Sequence, residues 1–147
     1  HSLVASASRI GFNLNIATPQ GYEPDAEVLK LAFDNIGDTG ITINTTNNPK
    51  EAVRGADVVV TDTWVSMGQE EDKQQRLRDF AGYQVTETLC AEANPGWVLL
   101  HCLPRKPEEV ADEVFYGPRG RIVLDEAENR MWTVMAVTLA LLNGKGV

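Results

Sequence analysis

Short apolar runs, rich in β-branched residues, alternate along this chain with stretches of helical pattern, and that alternation leaves few folds open. Phe12-Asn13-Leu14-Asn15-Ile16-Ala17, Ile41-Thr42-Ile43, the 56–61 segment around Val58-Val59-Val60, and 97–101 read as strands. The two valine- and leucine-rich runs read as buried strands. Pro24-Asp25 starts a helix that turns Val28, Leu29, Leu31, Ala32 and Phe33 inward, and Asn48-Pro49 caps a brief helix ending at Arg54. A charged surface helix over 70–81 points Leu77 and Phe80 inward. Further helices are expected over 2–9, 86–93 and 108–114, with an extended piece at 122–124. Strand and helix in repeated succession predict an α/β domain with a doubly wound parallel sheet between two helical layers.

The last helix, expected over 126–142, carries Met131, Trp132, Val134, Met135, Val137, Leu139, Leu141 and Leu142 nearly all round its surface. Such a helix needs cover on several sides, and one small sheet covers one side. The reading is that it packs on a domain outside this chain; a wholly internal helix is the alternative. The chain begins with His, and Leu3, Val4, Ala5, Ala7 and Ile10 look like the end of a helix without an N-cap, as expected for a piece of a longer protein.

At 147 residues the sequence can bury a sizeable single core. A net charge of −8 argues against non-specific nucleic-acid binding, which needs a basic surface. The most apolar stretch, 131–142, is too short to span a membrane. Cys90 and Cys102 make no disulfide framework, which suits a reducing compartment, and two Cys with two His show no zinc spacing. No metal and no cofactor are expected.

Chemistry gathers where strands end. The 97–101 run releases His101-Cys102-Leu103-Pro104-Arg105, a thiol between an imidazole and a guanidinium, with a proline that stops the strand. Neighbouring His101 and Arg105 can lower a thiol pKa; the plain alternative is a small buried hydrophobe. Cys90, beside Leu89 and Ala91, reads as core, and His101 taken alone reads as structural. The Val58-Val59-Val60 run releases Asp62-Thr63-Trp64-Val65-Ser66-Met67-Gly68. There a carboxylate and a hydroxyl suit a ligand ammonium group, or else cap the helix that follows, at even odds. Arg130, at the start of the last helix, offers its guanidinium and the backbone amides there to a carbonyl or phosphate, or pairs with Glu126 or Glu128 on the surface.

Taken in order, Asp62-Thr-Trp-Val-Ser66-Met67-Gly68-Gln-Glu, His101-Cys102-Leu103-Pro104-Arg105-Lys-Pro-Glu-Glu-Val and Glu128-Asn129-Arg130 resemble the ornithine carbamoyltransferase family, in the style of eukaryotic and fungal members. Ala17-Thr18-Pro19-Gln20-Gly21-Tyr22 and Asp112-Glu113-Val114-Phe115 extend the resemblance over essentially the whole chain. It implies transfer of a carbamoyl group from carbamoyl phosphate to the δ-amine of L-ornithine, giving citrulline and phosphate, in arginine biosynthesis or the urea cycle. It implies a Rossmann-like domain over 1–147 that binds ornithine, with its first strand missing and its last helix set against an absent N-terminal carbamoyl-phosphate domain. A Gly-Asp-Gly-Asn-Asn stretch is expected just before His1. Asp62, Ser66 and Met67 would hold the amino-acid end of ornithine. Cys102 would sit beside the δ-amine, where a thiolate and a carboxylate accept its proton. Cys102, the Leu103 backbone and Arg130 would contact the carbamoyl oxygen. A homotrimer is implied, in the mitochondrial matrix for a fungal or animal protein and in the cytoplasm otherwise. The isolated chain, holding half a site, is expected to be inactive.

Two alternatives stand beside this reading: a carbamoyltransferase acting on another amine, and a non-catalytic amino-acid-binding module of the same fold. Ser66-Met67-Gly68 favours ornithine over putrescine or aspartate, and retention of Cys102 with Arg130 favours catalysis. A nucleotide-binding domain is disfavoured, since no Gly-x-Gly-x-x-Gly follows a strand.

Overall fold

The computed structural model describes residues 1–66, 68 and 70–144. Two parallel strand pairs form its centre. β1 (Leu14–Ala17) pairs with β2 (Ile43–Thr46), and β3 (Val58–Thr61) with β4 (Val98–His101). Parallel neighbours need crossovers, and helices supply them. α2 (Ala26–Ile36) links β1 to β2, and α3 (Pro49–Val53) links β2 to β3. α4 (Lys73–Asp79) lies on the long connection from β3 to β4. Preceding β1, α1 (Ser2–Ser6) runs on as a π-helical turn, Ala7–Gly11, and stops at Gly11, whose φ of +96° suits glycine.

The caps follow the sequence. Asp25 accepts hydrogen bonds from the Glu27 and Val28 N–H groups to open α2, and Asn48 accepts one from Lys50 to open α3, with Pro49 in the first turn. Each cap satisfies helix N–H groups that would otherwise face only water.

Apolar residues collect in two cores. Val4 and Ala7 join Ala32, Ile36 and Ile43 over Leu14 and Ile16, packing α1 and α2 on one face of the β1–β2 pair. The larger core centres on Trp97 and Leu99, with Val53, Val59, Val85, Val110, Val114 and Val123 around them. Side chains of that size, fully buried, each contribute about 1.5–3 kcal/mol.

Several expectations are corrected. On α2 the buried stripe runs through Val28, Ala32 and Ile36 with Leu29 beside it; Leu31 and Phe33 flank it and are exposed. β3 is half-buried: Val59 is 8% exposed, but Val58 and Val60, on the opposite face, are 46% and 44% exposed. The 86–93 segment contains only a 3-10 turn at Leu89–Glu92. The helix expected over 108–114 starts late, as α5 (Asp112–Phe115), because Val110 bridges in parallel to Val85. The 122–124 piece is helical: a 3-10 turn at Gly120–Ile122 leads into α6 (Val123–Leu142). An apolar trio is too short to reveal its period.

α6 is 20 residues long, about 30 Å at helical rise. Only Val123 is buried; Leu124, Met131, Trp132, Val134, Leu139 and Leu142 are all exposed. The all-round apolar helix expected from the sequence stands largely uncovered in this chain. No helix among the described residues is long and apolar enough to cross a membrane.

Candidate active site

Strands β3 and β4 run side by side, so their carboxyl ends release the two loops together. In register, Thr61 lies opposite His101, and the next residues, Asp62 and Cys102, meet. The Cys102 Sγ donates to Asp62 Oδ1 at 2.9 Å, and the thiol is exposed. Burial, followed by the hydrogen bond to Asp62 and its negative charge, pushes the Cys102 pKa above that of an ordinary cysteine. The shift is opposite in direction to the lowering that neighbouring His101 and Arg105 could have given. His101 and Arg105, adjacent in sequence, point elsewhere. Arg105 donates to the Val110 carbonyl and pairs with Asp112, with its guanidinium over the Phe115 ring.

The pair is held from beneath by a buried network. Glu109 is 0% exposed. Its Oε1 accepts from the Thr63 hydroxyl at 3.0 Å and the Trp64 N–H at 3.1 Å. Its Oε2 accepts from the Lys106 N–H at 3.0 Å and contacts His101 Nε2 at 3.1 Å. The Leu103 N–H donates to His101 Nδ1 at 2.9 Å. With Nδ1 accepting, the ring proton sits on Nε2 and is donated to Glu109. One carboxylate and one imidazole thus tie the Asp62 loop to the Cys102 loop. His101 is structural, as read from the sequence. Glu109 escaped that reading because it lay within an expected short helix; a glutamate next to a buried valine is a faint signal.

Leu103 has φ of +56°, a left-handed conformation that costs a branched residue of order 1–3 kcal/mol and so marks a place where the surroundings dictate the backbone. Its N–H is committed to His101, so what its backbone offers a ligand is the carbonyl. An acceptor there suits a donor group such as an NH2.

Arg130 lies in the eighth position of α6, two turns in, so its backbone amide is within the helix and the expected free amides do not exist there. Arg130 lines an open cavity of about 630 Å³ with Cys102, Leu103, Pro104, Arg105, Phe115, Tyr116 and Ala127. The surface pairings weighed for it do not form. Glu126 accepts from the His101 N–H, and Glu128 from the Trp132 indole. Ser66 is exposed in the loop after Asp62; Met67 lies outside the described residues. Asp62 accepts from the Thr63 N–H and the thiol and caps no helix. Among the described residues no group of three or more His, Cys, Asp or Glu is placed to hold a metal ion.

A thiol, a backbone acceptor and an arginine around an open cavity at strand ends, with a carboxylate bonded to the thiol, can bind an amine beside a polarised carbonyl. These features define an α/β domain with a candidate ligand site at its strand ends. The sequence matches the family described as "Aspartate/ornithine carbamoyltransferase, Asp/Orn binding domain" over residues 1–141, and the chain belongs to that family. It is 54% identical over 97% of its length to the mitochondrial ornithine carbamoyltransferase of Aquarana catesbeiana and 50% identical over 98% to that of Aspergillus niger. It spans 40% of the length of each. The crystal structure of anabolic ornithine carbamoyltransferase from Campylobacter jejuni superposes with a TM-score of 0.91 at 35% identity, covering 97% of this chain and 47% of that one.

Proposed function

We propose that this chain is the ornithine-binding half of an ornithine carbamoyltransferase, which transfers the carbamoyl group of carbamoyl phosphate to the δ-amine of L-ornithine and yields citrulline and phosphate. The observation that carries the reading is the 2.9 Å contact between Cys102 and Asp62 at the ends of adjacent strands, beside the cavity that Arg130 lines. Arginine biosynthesis or the urea cycle is its setting, and the mitochondrial matrix its compartment.

Each group has a chemical task. Asp62, with Ser66 and Met67, holds the ammonium end of ornithine. The δ-amine must be neutral to attack, and Asp62, already a hydrogen-bond acceptor toward the thiol, is the nearby base able to take its proton. Cys102, neutral, orients the amine by hydrogen bonding and takes no covalent part. The Leu103 carbonyl accepts from the carbamoyl NH2. Arg130 faces the carbamoyl oxygen, where negative charge grows in the transition state. The carbamoyl-phosphate domain closes over α6, whose apolar residues become the contact between domains, and the full-length protein assembles as a homotrimer.

Acceptor preference tests this reading against related amines. In the full-length protein with carbamoyl phosphate, ornithine should be carbamoylated far faster than putrescine, which lacks the amino-acid end that Asp62 binds, and faster than acetylornithine, whose α-nitrogen carries no charge. Equal rates with putrescine would remove the role of the Asp62 loop. Ornithine binding without turnover would favour a non-catalytic binding module.

A further inference from the structure

Val65, in the Asp62 loop, is 9% exposed, and a carbonyl so placed needs a donor. Two donors reach it, the Thr63 hydroxyl and the Lys106 ammonium, each at 3.3 Å. The hydroxyl has one proton to give. It has a second and closer acceptor in Glu109 Oε1, at 3.0 Å. A carboxylate is the stronger acceptor, so the Thr63 proton goes to Glu109. The Val65 carbonyl is left to Lys106.

Lys106 stands in the other loop, after Cys102 and Arg105. Its N–H donates to Glu109 Oε2 at 3.0 Å, and its carbonyl accepts from the Glu109 N–H at 3.0 Å. Both backbone groups are therefore fixed on a fully buried residue. The side chain crosses to the Asp62 loop from an immobile base, and its backbone loses no further freedom when the ammonium binds. Glu109 ties the Asp62 loop at Thr63 and Trp64. Lys106 carries the tie one step further, to the residue before Ser66. Arg76 of α4 donates to the Trp64 carbonyl at 3.3 Å. That bond fastens the loop to the helix that follows it in the chain, whereas Lys106 fastens it to the loop of Cys102.

We propose that Lys106 is a positioning residue for the amine substrate: its ammonium, bonded to the Val65 carbonyl, sets the span between Ser66 and Cys102. One end of the substrate is held in the Asp62 loop, and the reacting amine sits at Cys102. The span between those points selects the length of the carbon chain that joins the two amines. The kinetic effect of Lys106 rests on the ornithine reading; the contact itself does not.

Lys106→Met in the full-length protein keeps an unbranched stem and removes the donor. The KM for ornithine should rise about tenfold, as loss of a charge-assisted hydrogen bond implies, with kcat and the KM for carbamoyl phosphate within about twofold. Preference for ornithine over L-lysine, longer by one methylene, should fall about tenfold. Lys106→Arg, which restores a cationic donor, should recover most of both. Amide hydrogen exchange over 62–66 should quicken about tenfold in Lys106→Met and little in Lys106→Arg. If Lys106→Met fails to fold, Lys106→Gln, whose shorter side chain falls short of Val65, should shift the same readings in the same direction. Equal rises in both KM values, or an unchanged ratio of ornithine to lysine, overturn the proposal. A wild-type protein without preference for ornithine overturns the functional reading instead. Exchange then decides for Lys106: faster exchange in Lys106→Met supports the contact, and unchanged exchange overturns it.

Discussion

Cys102 shows how far residue identity leads and where surroundings take over. Its position after an apolar strand marked it as a site residue, and the structure puts it against Asp62. Its protonation was not legible, because the sequence neighbours suited to lower its pKa turn away, while burial and then the distant Asp62 raise it. A raised pKa means that folding favours the protonated thiol. The stability linked to it is full below the pKa of an unfolded cysteine and is lost as pH rises through the folded value. The same shift predicts slow alkylation of Cys102 by iodoacetamide at pH 8, despite exposure. Asp62→Asn removes the charge, so it should speed that reaction a few-fold; an unchanged or slower rate would contradict the assignment. Cys90, buried and pushed up to about 11, should stay unmodified until the protein unfolds.

At the scale of elements, strand and helix succession was readable because β-branched runs and caps are local signals. Asp25 and Asn48 cap as expected, and β4 begins within one residue of its expected start. What failed was decided by long-range contacts: the Val85–Val110 bridge displaces α5, and packing of Val123 draws the 122–124 piece into α6. Glu109 belongs to this class, since its four partners come from three places in the sequence. Glu109→Gln keeps the shape but sets an NH2 donor against donors. It should destabilise the domain by about 2–3 kcal/mol in denaturant unfolding. A loss under about 0.5 kcal/mol, the scale of an ordinary surface change, would mean that the network is not what holds the two loops together.

The whole molecule has an uncovered side. α6 carries Arg130 toward the cavity while exposing Trp132, Met135 and Leu139, so site and uncovered surface lie on one element. Half-site chemistry predicts that the isolated chain forms no citrulline from ornithine and carbamoyl phosphate at any enzyme concentration. Turnover by His1–Val147 would show that all the required groups lie within it. The α6 surface should bind an environment-sensitive apolar dye in the isolated chain and lose most of that signal in the full-length protein. Equal signals would mean that no domain covers the helix.

In the proposed function, Asp62 is the residue that recognises ornithine. Steady-state kinetics of Asp62→Asn in the full-length protein test it most directly. The KM for ornithine should rise about 10- to 100-fold, the loss of one charge-assisted contact, while the KM for carbamoyl phosphate stays nearly constant. An unchanged ornithine KM, or an equal rise for both substrates, would contradict it.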